Sequence, residues 1–178
     1  MKESEFKLFL LSFTMKDIAE KFTYRVREKD CEAIGGIFRN QECDRTMPSE
    51  STLTLETSND LTVVVNLRYL LKMHFVWEPI HGYSEEPSSR LGAETVRMFL
   101  DGSTGPFATG VGDQPVFCNF MHGLTSYTHL DGFAFFKDED EEDVSVNLAM
   151  LKLFEVRTSF FEECEKAFAD AHTPRLKP

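Results

Sequence analysis

Two short runs of alternating residues, separated by a turn, constrain the fold of this 178-residue chain more than any other feature. Leu53 and Leu55 alternate with polar residues in the first run, and Val63 and Val65 keep the same period in the second. A period of two is typical of a β-strand with one buried face, and the Ser-Asn-Asp sequence between the runs favours a turn. The pattern therefore predicts an antiparallel hairpin.

Further strands are predicted around this hairpin. Alternation continues through residues 69–77 until Pro79 ends it, which predicts a third antiparallel strand. The glycine-rich stretch 102–112 favours turns on either side of a short strand at residues 107–111, and residues 116–121 are expected to pair with that strand. Residues 33–39 contain two glycines and predict either a bulged strand or a turn.

Helical spacing suggests three helices. In residues 4–28, apolar side chains recur at steps of four, three and four, which is the spacing of one helical face. A short helix is predicted over residues 90–100, and a long closing helix over residues 144–171. The acidic run at residues 138–143 would then precede a helix N-terminus, where it complements the helix dipole. No internal repeat is detected.

These elements predict one α+β domain spanning residues 1–178. Its expected order is an N-terminal helix, a three-stranded antiparallel sheet, a short helix, two further strands and a long C-terminal helix. Residues 123–143 are a candidate inserted arm. The length is that of one domain with a sizeable core. Seventeen phenylalanines indicate an aromatic-rich core, rings that serve a partner, or a mixture of both.

Charge and hydropathy narrow the function. The chain has 19 basic and 30 acidic residues and a net charge of -11, which disfavours nucleic acids and anionic membranes as main ligands. No apolar run reaches the length of a membrane span, and the N-terminal sequence fits a signal peptide poorly. A cytoplasmic protein is expected.

Chemical motifs are weak throughout. The four cysteines, Cys31, Cys43, Cys118 and Cys164, have irregular spacing and are interpreted as free thiols. His122, His129 and Asp131 could be considered metal ligands, but three converging ligands with a second shell are not indicated. Pairing Cys118 with His122 as nucleophile and base lacks a local signature. The acidic run lacks the spacing of a calcium loop. No catalytic residue, metal or cofactor is predicted.

The first segment carries a second apolar stripe, formed by Phe6, Phe9, Leu10 and Phe13. A helix that packs only on its own sheet needs a single stripe. The wider apolar surface indicates either a second contact or deep burial in the core, and the sequence leaves both open.

The expected order of elements resembles the class I type III secretion chaperones, also called the Tir-chaperone-like family. The likeness is carried by AETVRMFLDGSTGPFATGVGDQPVFCNFM, by VNLAMLKLFEVRTSFFEECEKAF, and by LFLLSFTMKDIAEKF. The resemblance implies a bacterial cytoplasmic homodimer that binds the non-globular N-terminal segment of a secreted effector and keeps it export-competent. No nucleotide hydrolysis is implied.

The resemblance also assigns residues to two surfaces. A groove for the effector, filled by strand addition and apolar side chains, would be lined by Phe6, Phe9, Leu10, Phe13, Leu53, Leu55, Val63 and Val65. A two-fold dimer contact would be supplied by Leu91, Thr95, Val96, Met98 and Phe99.

Two other classes of function stay open. An α+β enzyme would hold a small apolar substrate in a cavity with convergent polar groups, for which His74, Glu78, His81 and His122 are the candidates. An intracellular immunity or interaction protein that blocks a toxin would also be acidic and lack catalytic motifs. Exposed phenylalanines beside an open groove would favour the chaperone.

Overall fold

A computed structural model describes residues 8–27, 30, 34–35, 52–76, 91–126 and 132–172. Within these residues it contains ten strands and two complete helices, and residues 30 and 34–35 are also helical. The first five strands are β1 (Leu8–Met15), β2 (Lys21–Arg27), β3 (Thr52–Glu56), β4 (Leu61–Asn66) and β5 (Leu70–Val76). The second five are β6 (Thr95–Leu100), β7 (Phe107–Gly110), β8 (Phe133–Lys137), β9 (Asp143–Asn147) and β10 (Leu151–Arg157). The helices are α1 (Gln114–Ser126), between β7 and β8, and α2 (Thr158–His172), after β10.

The strands form three antiparallel sheets with the orders β2-β1-β5, β3-β4-β10-β6-β7 and β8-β9. Two isolated bridges connect these sheets: Val26 pairs with Thr57, and Val111 pairs with Asp138. The strands therefore follow one hydrogen-bonded order, β5-β1-β2-β3-β4-β10-β6-β7-β8-β9. Its centre is the pair β4 and β10.

The two halves of the chain are structural repeats of each other. Strands β1 to β5 correspond to β6 to β10, and the corresponding pairs share one register. Phe13 pairs with Phe22 in the first half as Met98 pairs with Phe107 in the second. Even the irregularity is repeated, because the β1·β5 and β6·β10 ladders both shift register next to the terminal pair. The prediction that the chain has no internal repeat is wrong.

The repeat extends to turns that depend on backbone chemistry. A 3₁₀ turn precedes β5 and another precedes β10, each begun by an asparagine. The side chains of Asn66 and Asn147 accept hydrogen bonds from the backbone two residues later. Asp60 and Glu141 both adopt a left-handed backbone, at φ values of 62° and 63°, in the equivalent hairpin turns. The repeat is also visible in one stretch of sequence, because residues 63–70 (VVVNLRYL) and residues 144–151 (VSVNLAML) are identical at five of eight equivalent positions.

Each half builds its own core, and the two cores lie on opposite faces of the central strands. The first core contains Val63 and Val65 of β4 together with Leu153 of β10. The second contains Val64 of β4 and Phe154 of β10. Because side chains alternate across a strand, each central strand contributes to both cores. All six residues of β4 are buried as a result.

The predicted fold class is wrong, because residues 8–27 of its N-terminal helix form two strands. The segment forms β1 and β2, and Phe9, Leu11, Phe13 and Met15 alternate into the first core. The helical spacing was produced by joining residues of β1 to Ile18 and Phe22 across the turn at Asp17, whose φ is 57°. A period calculated across a turn does not describe a single element.

The predicted short helix over residues 90–100 and the predicted strand over residues 116–121 are also wrong. Residues 95–100 form β6, and residues 116–121 lie in helix α1. The sequence did contain the helical signal: Asp113 caps the helix by accepting a hydrogen bond from the Val116 amide at 3.2 Å, and Pro115 lies in its first turn. The buried residues of α1 have helical spacing: Phe117, Cys118, Phe120, Met121 and Leu124.

Much of the predicted long closing helix, residues 144–171, forms strands. Residues 143–147 form β9, residues 151–157 form β10, and only Thr158–His172 is helical. A strand that is covered on both faces does not alternate, so its period does not distinguish it from a helix. The acidic run forms the turn between β8 and β9. Residues 132–143 of the candidate arm belong to this hairpin, which buries Phe136 in the second core.

Other predicted elements are confirmed. The β3–β4 hairpin pairs residue by residue, from Thr52 with Asn66 to Glu56 with Thr62. The short strand at residues 107–111 is β7. The third predicted strand is β5, although it pairs with β1 and not with β4.

Replacing Phe117 with alanine tests the second core. Its ring lies 5.4 Å from that of Phe120, 5.3 Å from Phe136 and 5.8 Å from Phe160, measured between centroids. The cavity is expected to lower the free energy of unfolding by about 3–5 kcal/mol, measured by urea denaturation. Phe133→Ala, at an exposed strand position, should lower it by less than about 1 kcal/mol. Equal losses would contradict the assignment of Phe117 to the core.

Candidate functional site

The side chains expected to line an effector groove lie in the first core. Phe13 packs against Phe22 and Tyr24, Phe9 is buried in the same core, and Leu10 is half-buried. Phe6 lies outside the described residues. The strand residues of this group are also buried: Leu53, Leu55, Val63 and Val65. In the conformation of this structure these side chains stabilise the monomer, so an interaction surface has to be sought elsewhere.

The side chains expected at a dimer contact are buried in the same way. Val96 and Met98 belong to the second core, and Phe99 belongs to the first. Leu91 is also buried, and Thr95 is half-buried. The segment is strand β6 in the interior of the main sheet, where it pairs with β10 and β7. Dimerisation itself stays a prediction, but these buried side chains do not support it.

Of the histidines considered for an enzyme, the two that the structure describes lie on separate elements. His74 is exposed on β5, and Glu78 and His81 lie outside the described residues. His122 lies on α1, where its ring stacks on Phe168 at 3.7 Å and its Nδ1 is 3.5 Å from the Glu165 carboxylate. Among the described residues there is no cluster of side chains that could hold a metal ion, and His129 and Asp131 are outside that range.

Two of the cysteines lie between the helices. Cys118 of α1 and Cys164 of α2 are buried free thiols. Burial, followed by the neighbouring Cys118, raises the pKa of the Cys164 thiol. A raised pKa keeps the thiol protonated and unreactive, which favours a packing role over a nucleophilic one. Cys31 and Cys43 are outside the described residues.

A buried carboxylate connects the two halves of the molecule. Glu155 of β10 is 1% exposed. One of its oxygens accepts a hydrogen bond from the Tyr24 hydroxyl of β2, and the other accepts one from the Arg97 guanidinium of β6, directly across the strand pair. Arg97 also lies 5.6 Å from the centroid of the Phe99 ring. Both oxygens are therefore occupied, which leaves this carboxylate with a structural role.

A buried ammonium group on the same strand connects two equivalent turns. Lys152 is also 1% exposed, and its Nζ lies 2.8 Å from the Asp101 carboxylate and 2.8 Å from the Lys16 carbonyl oxygen. Lys16 and Asp101 occupy the same position in the two repeats. The hydrogen bond from Lys152 lowers the pKa of Asp101. Unpaired buried charges are costly, so these contacts fix how the halves meet.

The hairpin of β8 and β9 exposes an aromatic face. Phe133 and Phe135 are 61% and 62% exposed, and their alternation places both rings on one side of β8. Ser145 and Asn147 lie opposite them on β9. The equivalent residues of the first half are Thr52 and Thr54. Single exposed apolar residues are ordinary, but two adjacent rings on one face are typical of an interaction surface. We call Phe133, Phe135, Ser145 and Asn147 the aromatic face.

An acidic turn lies at one end of this face. Residues 139–143 are all exposed and all acidic. One of them, Asp143, lies 3.8 Å from Lys137 Nζ. The Asp138 carboxylate shapes the turn by accepting hydrogen bonds from the amides of Asp140 and Glu142 at 3.0 and 2.9 Å. The sequence showed the acidic run but not its place, because a helix had been assigned to the residues that form β9.

Comparisons with known proteins identify no relative. No protein-family model matches the chain, and no curated protein or solved structure matches it either. Across the described residues, no helix has the length and apolar character needed to cross a membrane.

The buried Tyr24 hydroxyl predicts a loss of stability in alkaline solution. Burial and then the Glu155 carboxylate raise the pKa of Tyr24 well above its ordinary value. Above about pH 10 the unfolded chain ionises this tyrosine while the folded chain does not, so the free energy of unfolding should fall by up to about 1.4 kcal/mol per pH unit.

Tyr24→Phe separates this effect from other groups. At pH 8 the variant should be about 1–3 kcal/mol less stable than the parent, because Glu155 loses a hydrogen-bond donor. The difference should narrow above about pH 10, as measured by urea denaturation at each pH. A gap that stays constant to high pH would contradict the raised pKa.

Proposed function

We propose that this chain is a polypeptide-binding protein that uses the aromatic face to hold an unfolded segment of another protein. The observation that carries the proposal is the pair of exposed rings, Phe133 and Phe135, on an ordered hairpin whose other face is anchored in the second core by Phe136. Aromatic side chains supply much of the energy of protein interfaces because each buries a large apolar area at a low entropic cost.

Charge specifies the kind of segment. The acidic turn lies beside the aromatic face, and the chain has a net charge of -11. Acidic surfaces attract basic partners and increase their rate of association. The expected ligand is therefore an apolar segment that also carries lysine or arginine.

Binding of an unfolded polypeptide is also the function expected for an effector chaperone, but the proposal does not depend on the resemblance to that family. The helix-first order on which the resemblance depended is not the order of this chain, and the groove residues it implied are buried. The proposal is accordingly limited to binding an unfolded polypeptide segment, and it rests on the aromatic face and the acidic turn.

A double substitution to the residues of the first repeat tests the aromatic face. Phe133→Thr with Phe135→Thr keeps residues that favour strands and should leave the free energy of unfolding nearly unchanged. Affinity for short basic apolar peptides, measured by fluorescence anisotropy, should fall at least about tenfold. Peptides of equal length that are acidic, or that lack apolar residues, should bind more weakly to the parent.

Leu71→Ser supplies the matched control. Leu71 is 67% exposed on β5, at the opposite end of the strand order from β9, so its replacement also removes exposed apolar area but should leave peptide affinity unchanged. A folded double variant that binds as tightly as the parent would show that the aromatic face does not hold the peptide.

A further inference from the structure

The outer edge of β9 lacks a partner strand among the described residues. In residues 132–172 and the other described ranges, β9 pairs only with β8. The equivalent strand of the first half, β4, pairs on one side with β3 and on the other with β10. Among the described residues, one copy of this hairpin thus has its edge filled and the other copy has its edge open.

The filled copy is a template for the open one. Strand β10 runs antiparallel to β4, with Leu153 opposite Val65, Glu155 opposite Val63 and Arg157 opposite Leu61. Transferred to the second repeat, five guest residues would lie in order opposite positions 146, 145, 144, 143 and 142. The first and third would extend the apolar row of Val146 and Val144, which belong to or pack against the second core.

The second guest residue would lie on the aromatic face. It would be opposite Ser145, which is itself opposite Phe135. Serine is small, so a large apolar guest side chain can lie over it and contact the exposed ring. An aromatic or long aliphatic residue is therefore favoured at this position.

The template also places the positive charge. Arg157, at the C-terminal end of β10, lies with its Nη1 3.4 Å from the Asp60 carboxylate in the β3–β4 turn. The equivalent turn residue of the open hairpin is Glu141, with the same left-handed backbone. Asp143 and Glu142 would face the last two guest residues. Basic residues should therefore stand at the C-terminal end of the guest.

We propose that the β9 edge binds the partner segment as an added antiparallel strand of the pattern apolar, aromatic, apolar, basic, basic, by repeating the contact that β10 makes with β4. The inference deepens the proposed function and rests on it. Strand addition satisfies the open backbone groups of the edge, and side-chain pockets supply specificity.

A second copy of this chain fits the edge poorly. It would present β5, the equivalent of β10. Lys72 would then replace Leu153 and be placed opposite the buried Val146, and Val76 would replace Arg157 beside the acidic turn. Burying an unpaired lysine is unfavourable, so the guest is a different polypeptide.

The test uses the peptide acetyl-Gly-Leu-Phe-Val-Lys-Arg-Gly-amide, labelled with a fluorophore, and the full chain. The peptide with the same residues in reverse order should bind at least about tenfold more weakly. N-methylation of successive peptide amides should weaken binding at every second position only, since alternate amides of an added strand point toward its neighbour. Hydrogen exchange should slow in residues 143–147.

Charge variants of the protein supply a second readout. Glu141→Gln with Glu142→Gln should weaken binding of this peptide and reduce its dependence on salt. Glu162→Gln with Glu163→Gln removes the same charge from exposed positions on α2 and should have no effect. Equal effects of the two pairs would show general electrostatic attraction and overturn the proposed register.

The outcomes separate the two proposals. If Phe133→Thr with Phe135→Thr weakens binding, but residue order and the N-methyl positions do not matter, strand addition is wrong and the aromatic face remains the binding surface. If the peptides bind no more tightly to the parent than to that variant, the proposed function is wrong as well. A dimer in sedimentation that Lys72→Glu dissociates, with residues 143–147 protected in it, would overturn the choice of guest.

Discussion

The antiparallel pairing of β4 with β10 is the contact on which the rest of the structure depends. It joins the last strand of the first repeat's sheet order to the first strand of the second's, and it places one core on each face of the pair. Both strands are almost entirely buried because of this arrangement. A half of the chain taken alone would expose one face of β4 or of β10. Each repeat therefore needs the other in order to bury these strands completely.

Two buried charges make this junction specific. Each of them has one partner in each repeat. Glu155 contacts Tyr24 and Arg97, and Lys152 contacts Lys16 and Asp101. Glu155 connects β2, β6 and β10, whereas Lys152 connects the two equivalent turns. An apolar strand could slide along its neighbour with little loss, but a shifted register would leave these charges unpaired and buried. The polar groups therefore define a single alignment of the halves.

The two repeats have diverged according to what covers them. Val64 of β4 is buried by the second half, and its equivalent on β9 is the exposed Ser145. Thr52 and Thr54 correspond to the exposed Phe133 and Phe135. A hairpin whose edge is filled from within the chain thus carries threonine on its outer face, and the hairpin with an open edge carries aromatic rings beside an acidic turn. This contrast connects the fold to the binding role proposed for the hairpin.

The local sequence pattern was sufficient to predict an element that has one buried face and is bounded by turn residues. The β3–β4 hairpin and β7 were predicted from alternation and turn residues. The acidic composition and the weakness of the chemical motifs were also evident from the sequence. Tertiary structure decided the rest. Strand β10 is buried on both faces, so its apolar residues do not alternate. The turn between β1 and β2 gave the two strands together a helical spacing. Phe9 and Phe13 lie in a core that also contains residues of β3 and β4. The candidate surface escaped sequence reasoning because residues distant along the chain decide which face of β8 is covered by the second core, and therefore leave Phe133 and Phe135 exposed on the other face.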